Sequence, residues 1–111
     1  MTQLIKAYTT IYVETRYIWD EAKRERNIAV RGLDFADADL VLCSPYRFDV
    51  PSPRGSEIRV ASFAYVFDVL HVLLVVHAPG TDHRIISFRA AHPSEREIYH
   101  DWLENDFHDT R

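Results

Sequence analysis

Glycine is scarce in this chain: of 111 residues only Gly32, Gly55 and Gly80 are glycine, and they stand far apart. No glycine-rich phosphate loop can be assembled from them, which excludes both the Walker-type and the dinucleotide-type cradle. Cysteine is scarcer still. Cys43 is alone, so no internal disulfide can form, and the chain suits a reducing compartment. Long apolar runs are also missing. The longest, Val69 to Val76, is interrupted by His71; it has the length of a strand, whereas a membrane-spanning helix needs about 20 residues. Met1 to Thr10 carry one lysine, Lys6, and no continuous apolar block, so no secretory signal is expected. A basic excess is lacking too: 13 Lys+Arg face 17 Asp+Glu, a net charge of −4. On its face that argues against binding nucleic acid.

What is present is ordinary globular composition, 47% hydrophobic and 27% charged, in a length that suits one domain with one core. The charge is unevenly spread. Residues 1–91 hold 11 basic and 11 acidic side chains, so the whole −4 lies in residues 92–111. Alternating β-branched and aromatic residues predict a strand over 8–18. Asp20 is placed to cap a helix that Gly32 ends, with a thin apolar face (Ala22, Ile28, Ala29) and a basic side of Lys23, Arg24, Arg26 and Arg31. Asp34 opens a second short helix with Phe35, Ala38 and Val41 or Leu42 inward, ending at Ser44-Pro45. A short strand at 46–50, a turn at 51–55, and strands at 57–67, 70–78 and 83–89 follow. The 70–78 segment is apolar throughout and so belongs mid-sheet. Ser94 and Glu97 have capping-box spacing, and Ile98, Tyr99, Trp102 and Leu103 form the stripe of a last helix. The tail from Asn105 is polar and expected to fray. The expected fold is α+β: a small antiparallel sheet, two N-terminal helices and one C-terminal helix, with the helices on one side.

Six histidines raise the question of a metal. His71 and His77 share a strand face but lie about 20 Å apart at ~3.3 Å per residue. His77 and His83 can approach across a hairpin, yet no third ligand has recognisable spacing, so no metal is expected. Cys43, at the end of an apolar helix stripe, reads as a small core residue. The arginines carry more. Glu57 and Arg59 share a strand face. Arg84 and Arg89 bracket the strand Arg84-Ile85-Ile86-Ser87-Phe88-Arg89, and strict alternation sends them to opposite faces unless the strand bulges near Ser87. Such arginines are either solvated and paired with neighbours such as Glu57 or Asp68, or they form a phosphate-binding face. Phe63, Tyr65, Phe88 and Tyr99 interleave them, as core or as stacking platforms.

The run from Tyr17 to Tyr99 resembles the BrnT family of bacterial type II toxins, ribonucleases with a RelE-like fold. The matching positions are Trp19-Asp20-Glu21-Ala22-Lys23, Asn27, Gly32, Phe35 and Ala38, then Glu57-x-Arg59, Arg84-Ile85-Ile86-Ser87-x-Arg89-x-Ala91, Glu95 and Tyr99. They divide the chain into an extension at 1–16, a family-like core at 17–104 and a polar tail at 105–111. The resemblance implies a cytoplasmic, metal-independent endoribonuclease without cofactors, in which the RNA 2′-hydroxyl attacks the adjacent phosphate. Arg59, Arg84 and Arg89 would hold the phosphate and its transition state. Lys23 and Arg31 would bind RNA. Glu57 would orient Arg59 or accept a proton, and Tyr99 would bond a phosphate or stack. It also implies a ribbon-helix-helix antitoxin of the BrnA type, in a homodimer or a toxin–antitoxin heterotetramer.

Two positions depart from the family pattern. Val30-Arg31 replaces the family's Lys-His before Gly32, and an arginine cannot act as a general base at ordinary pH. Phe88 stands where the family has a small residue. Either His83 or His77 supplies the missing acid–base group, or the chain is a weakened or inactive module that acts by binding its antitoxin. Residues 1–16 are expected to pair with a partner or with a second copy.

Overall fold

The computed structural model describes residues 16–109, with side chains through 106. The elements run β1 (Arg16–Ile18), α1 (Glu21–Arg31), a 3-10 turn (Phe35–Asp37), α2 (Asp39–Leu42), β2 (Phe48–Pro51), β3 (Val60–Val66), β4 (His71–Ala78), β5 (Asp82–Ala90) and α3 (Pro93–Asp109). Of the strand expected at 8–18, only its last residues fall in this range; residues 1–15 lie outside the described residues. The strands form one sheet in the order β1-β5-β4-β3-β2.

The apolar β4 does occupy the middle. Its ladders with β3 and β5 are antiparallel, as is β2 with β3, but β1 runs parallel to β5. The sheet is therefore mixed, not antiparallel. Pairing between β1 and β5 joins distant parts of the chain, so no local pattern announces its direction.

The helices also lie on both faces rather than one. Ala61–Ala64 on β3 and Val72–Val75 on β4 are buried without interruption, and a strand with two apolar faces needs two covers. On one face Phe35, Ala38, Val41 and Leu42 pack on Ala64, Val66, Leu73, Val75, Ile85 and Phe88. On the other, Tyr99, Trp102 and Leu103 of α3 pack on Ala61, Phe63, Val72 and Leu74. Each wholly buried ring, such as Phe35 or Phe88, contributes about 2–3 kcal/mol of hydrophobic stabilisation.

Asp20 caps α1 as expected, accepting from the Lys23 backbone at 3.1 Å. Gly32 closes it with φ +72°, donating to the Ile28 carbonyl at 2.8 Å, a left-handed conformation that favours glycine. The expected apolar face is not the buried one. Ala22, Ile28 and Ala29 are exposed, and the one buried residue of α1 is Asn27. Its amide donates to the carbonyls of Leu33 and Phe88, both at 2.8 Å, while the Phe88 N–H points to its oxygen at 3.4 Å. β1 pairs only with residues 82–84 of β5, so beyond that Asn27 completes the edge that a neighbouring strand would otherwise satisfy.

Other boundaries shift for local reasons. The second helix is a 3-10 turn and a single helical turn. Cys43, which follows it, is exposed and not a core residue; desolvation and the Asp39 carboxylate hold its thiol above the usual value. Strand β3 begins at Val60 and not at 57, because Arg54 and Glu57 exchange backbone hydrogen bonds of 3.1 and 3.0 Å across a turn at Gly55, φ +61°.

The last helix starts two residues earlier than a cap at Ser94 would place it. Pro93 takes the first helical position, and Glu95, not Glu97, reaches back to the His92 N–H at 2.8 Å. It then continues to Asp109, past the expected fraying point. Arg89 grips Glu95 through both terminal nitrogens at 2.8 and 2.9 Å. That pairing, with the His92 bond, lowers the Glu95 carboxyl from 4.5 to about 2. A depressed carboxylate stabilises the fold above its unfolded pKa and loses that effect as pH falls through the folded one. Glu95→Gln is therefore expected to flatten the loss of stability between about pH 4.5 and pH 2, read by denaturant unfolding across that range.

Candidate active site and basic groove

Arg84 and Arg89 reach the same side of the sheet because β5 carries one extra residue. Val76 pairs with Ser87 but His77 pairs with Ile85, leaving Ile86 unmatched. This bulge resets the alternation. Arg84 then lies opposite Ala78 and Arg89 opposite Leu74, four apart on β4 and hence on one face, the side that α3 covers.

Arg59 precedes β3 in phase with Ala61 and Phe63 and joins that face. Its Nε donates to Glu57 Oε1 at 2.7 Å, and Arg84 Nη2 lies 2.8 Å from Glu57 Oε2. One carboxylate thus holds two guanidinium groups side by side, and both hydrogen bonds keep the Glu57 carboxyl below its usual value, Arg59 contributing more. Arg59 is mostly buried and Arg84 is 41% exposed. Among the described residues, the terminal nitrogens of Arg59 have no other partner. Arg89 differs: Glu95 takes both its terminal nitrogens, and Nη1 also bonds the Ala90 carbonyl.

Lys23 and Arg31 meet elsewhere. With Arg26 they line a groove of about 260 Å³ between α1 and the β5 bulge, floored by Asn27, Phe35, Ile86 and Ser87. None of the three has an ion-pair partner among the described residues. Arg24, on the same helix, is instead tied to Asp34 and Glu21 at 2.8 and 2.6 Å. The groove therefore concentrates unneutralised positive charge in a chain of net negative charge, and suits phosphate oxygens. Arg26 was visible in the sequence as part of the basic side; its role in the groove was not.

His83 lies on the opposite face from Arg59 and Arg84, near the same end of the sheet. Its Nε2 is 2.5 Å from His77 Nδ1. His77 Nε2 in turn lies 2.7 Å from Ser62 Oγ, which is 2.6 Å from Asp49 Oδ1. The Tyr17 ring meets His83 edge-on, its centroid 5.4 Å away, and the Tyr17 hydroxyl bonds Asp39. Burial, then the His83 and Arg47 charges, lower His77 to about 4; burial and Arg47 also lower His83. Both shifts favour the neutral imidazole. The approach of His77 to His83 was legible from the hairpin; Ser62 and Asp49 were not, since nothing local marks them as partners.

Tyr99 is wholly buried. Its hydroxyl donates to the Tyr46 carbonyl at 2.7 Å and accepts from the Tyr65 N–H at 3.2 Å, which ties α3 to the sheet. The residues singled out in the sequence thus fall into distinct places: Glu57, Arg59 and Arg84 together, Arg89 farther along that face, Lys23 and Arg31 in the groove, His83 across the sheet, and Tyr99 in the core. No group of three or more His, Cys, Asp or Glu among the described residues is arranged to hold a metal ion. No helix among them is long and apolar enough to cross a membrane.

A family model described as the ribonuclease toxin BrnT, of type II toxin–antitoxin systems, matches residues 19–95. No curated protein matches the chain.

Proposed function

Because this chain belongs to the BrnT family of ribonuclease toxins of type II toxin–antitoxin systems, we propose that it is a RelE-like endoribonuclease that cuts RNA without a metal ion. In this reading the 2′-hydroxyl attacks the adjacent phosphate, Arg59 and Arg84 stabilise the charge that builds on the phosphoryl oxygens, and Glu57 fixes their orientation. Arg89 adds positive charge on the same face, whereas His83, across the sheet, takes no part in this step.

The observation that carries this reading is the single Glu57 carboxylate holding two guanidinium groups at 2.7 and 2.8 Å. Guanidinium groups held in advance need no reorganisation as the transition state forms. The test is cleavage of RNA by the purified chain in excess chelator. Products ending in a 2′,3′-cyclic phosphate and a 5′-hydroxyl are expected. Cleavage that stops on chelation, or that leaves a 3′-hydroxyl, overturns the mechanism.

The groove of Lys23, Arg26 and Arg31 is the proposed track for the RNA backbone. Each cation that neutralises a phosphate contributes about 0.7 to the salt slope of single-strand binding. Replacing all three with alanine is expected to reduce the slope by about 2 and to weaken binding at low salt, with the fold intact because the side chains are exposed. The check is RNA affinity measured across salt concentrations.

A toxin of this class implies an antitoxin, and a basic ribbon-helix-helix protein of the BrnA type fits the acidic last helix. A second reading has its own support: Arg59, Arg84 and Arg89 are all paired with carboxylates, as in a module that binds its antitoxin without cutting RNA. Induced expression without the antitoxin separates the two. Growth arrest supports the enzyme, and normal growth with folded protein supports the module.

A further inference from the structure

The turn between β3 and β4 is unlike an ordinary solvated loop. Phe67, Val69 and Leu70 are apolar and exposed there, Phe67 at 70% and Leu70 at 71%. The turn closes through the Val69 N–H to the Val66 carbonyl at 3.2 Å and the Leu70 N–H to the Phe67 carbonyl at 3.3 Å. Leu70 holds φ +54°, and among the described residues no other non-glycine has a positive φ. Turns place glycine, asparagine or aspartate in that conformation. The leucine is strained in it, and its side chain goes to solvent rather than to the core.

Beside this turn lie two open cavities of about 330 and 350 Å³ that share the rings of Tyr46, Tyr65 and Phe67. His100 and Leu103 of α3 wall the first, and Leu40, Pro45 and Asp68 the second. Together they make one apolar face across this end of the sheet. No lysine or arginine lines either cavity. Acidic groups stand around them instead: Asp68 in the turn, and Glu97 and Glu104 one helical turn either side of His100. All three are exposed, and none has an ion-pair partner among the described residues. The Tyr99 hydroxyl already takes the Tyr65 N–H and the Tyr46 carbonyl. Those backbone groups are not open to an added strand, so a partner docks here through side chains.

We propose that this face is the docking surface for the antitoxin, which enters it with a basic amphipathic helix. The apolar side of that helix fills the two cavities, and its cations meet Asp68, Glu97 and Glu104. This rests on the pairing with an antitoxin put forward above, and not on RNA cleavage. A second copy of the chain would bring the same acidic rim against these carboxylates, and RNA would bring its phosphates, so like charges disfavour both. The face lies at the opposite end of β3 and β4 from Arg59 and Arg84, so the helix anchors without touching them.

The test is the affinity of the full chain for its purified antitoxin, with association rates measured across salt concentrations. Phe67→Ala is expected to weaken binding about 30-fold, the scale of losing a central aromatic anchor. Leu70→Gly should weaken it about tenfold and yet melt close to the parent, because glycine accepts a positive φ without strain. Asp68→Lys combined with Glu104→Lys should slow association about tenfold at low salt and much less at high salt. Arg59→Ala should bind as tightly as the parent. A loss there with none in Phe67→Ala puts the antitoxin over the arginines and overturns the proposal. A parent dimer that Phe67→Ala dissociates, with antitoxin affinity unchanged, gives the face to a second copy and overturns it too. RNA affinity that falls in Phe67→Ala while antitoxin affinity holds gives the face to RNA, with the same result. A parent chain that binds no antitoxin removes the pairing itself, whereas tight binding untouched by Phe67→Ala and Leu70→Gly removes only the proposed surface.

Discussion

Asn27→Leu is expected to melt roughly 12 °C below the parent chain, at a cost of about 3 kcal/mol. Leucine keeps the branched shape of asparagine, is larger, and supplies none of its hydrogen bonds. The carbonyls of Leu33 and Phe88 lose their donor, and the Phe88 N–H loses its acceptor. Each buried backbone group left without a partner costs about 1–3 kcal/mol, and Phe88 is itself wholly buried. The loss falls where α1 meets the bulged edge of β5, so the groove of Lys23, Arg26 and Arg31 should lose its geometry together with the stability. Asn27→Asp separates the two halves of the interaction. It keeps an acceptor for the Phe88 N–H but sets a carboxylate against two carbonyl oxygens, and should be at least as damaging at neutral pH. Thermal unfolding of both variants checks the prediction. An Asn27→Leu protein melting within about 2 °C of the parent, the shift expected for a change below ~0.5 kcal/mol, would refute it.

The second large effect belongs to the guanidinium pair. Arg59→Ala and Arg84→Ala are each expected to reduce RNA cleavage about 100- to 1,000-fold, the scale seen when one preorganised donor to a transition-state oxygen is lost. Growth arrest on induction without the antitoxin should vanish with it. Lysine should rescue neither position, because an ammonium group cannot bond Glu57 and also present a planar fork to phosphate. The two changes should not add, since each removes half of a unit joined through Glu57. The Arg84 side chain is 41% exposed, so its removal should leave the fold intact, and circular dichroism confirms that cheaply. Arg89→Ala gives a different signature. Its partner Glu95 holds the start of α3, so loss of activity there should come with loss of stability.

Much of this architecture was legible along the chain. Asp20 and Gly32 delimit α1 through chemistry that acts within a turn. The unbroken apolar run of β4 placed it mid-sheet, and the hairpin length brought His77 near His83. The motif positions from Trp19 to Tyr99 carried the family resemblance, and the family model matches residues 19–95 of that run. Where local reading failed, the competing influence was tertiary. Asp34 does begin a helical segment, yet it divides into a 3-10 turn and one helical turn. Glu97 has the spacing of a capping residue, but Pro93 takes the first helical position and Glu95 takes that role. The bulge at Ile86 was conceivable from the sequence as a condition for uniting Arg84 and Arg89, and only the ladder to β4 decides that it is there.

The sequence by itself determined the caps of α1, the apolar stripe of α3, the central place of β4 and the concentration of negative charge in the last twenty residues. Each depends on neighbours a few positions away, and backbone geometry carries such signals unaided. Tertiary structure alone decided the parallel pairing of β1 with β5, the helices on both faces, the bond from Asn27 to Phe88 across 61 positions, and the meeting of Glu57 with Arg84. It also decided which positive charges are neutralised. Arg24, Arg59, Arg84 and Arg89 find carboxylates within the fold, while Lys23, Arg26 and Arg31 find none among the described residues, and a chain of net charge −4 still presents a basic groove. The physical reason is one of range: a hydrogen bond or ion pair forms between groups a few ångströms apart, and chain separation says little about that distance until the sheet has closed.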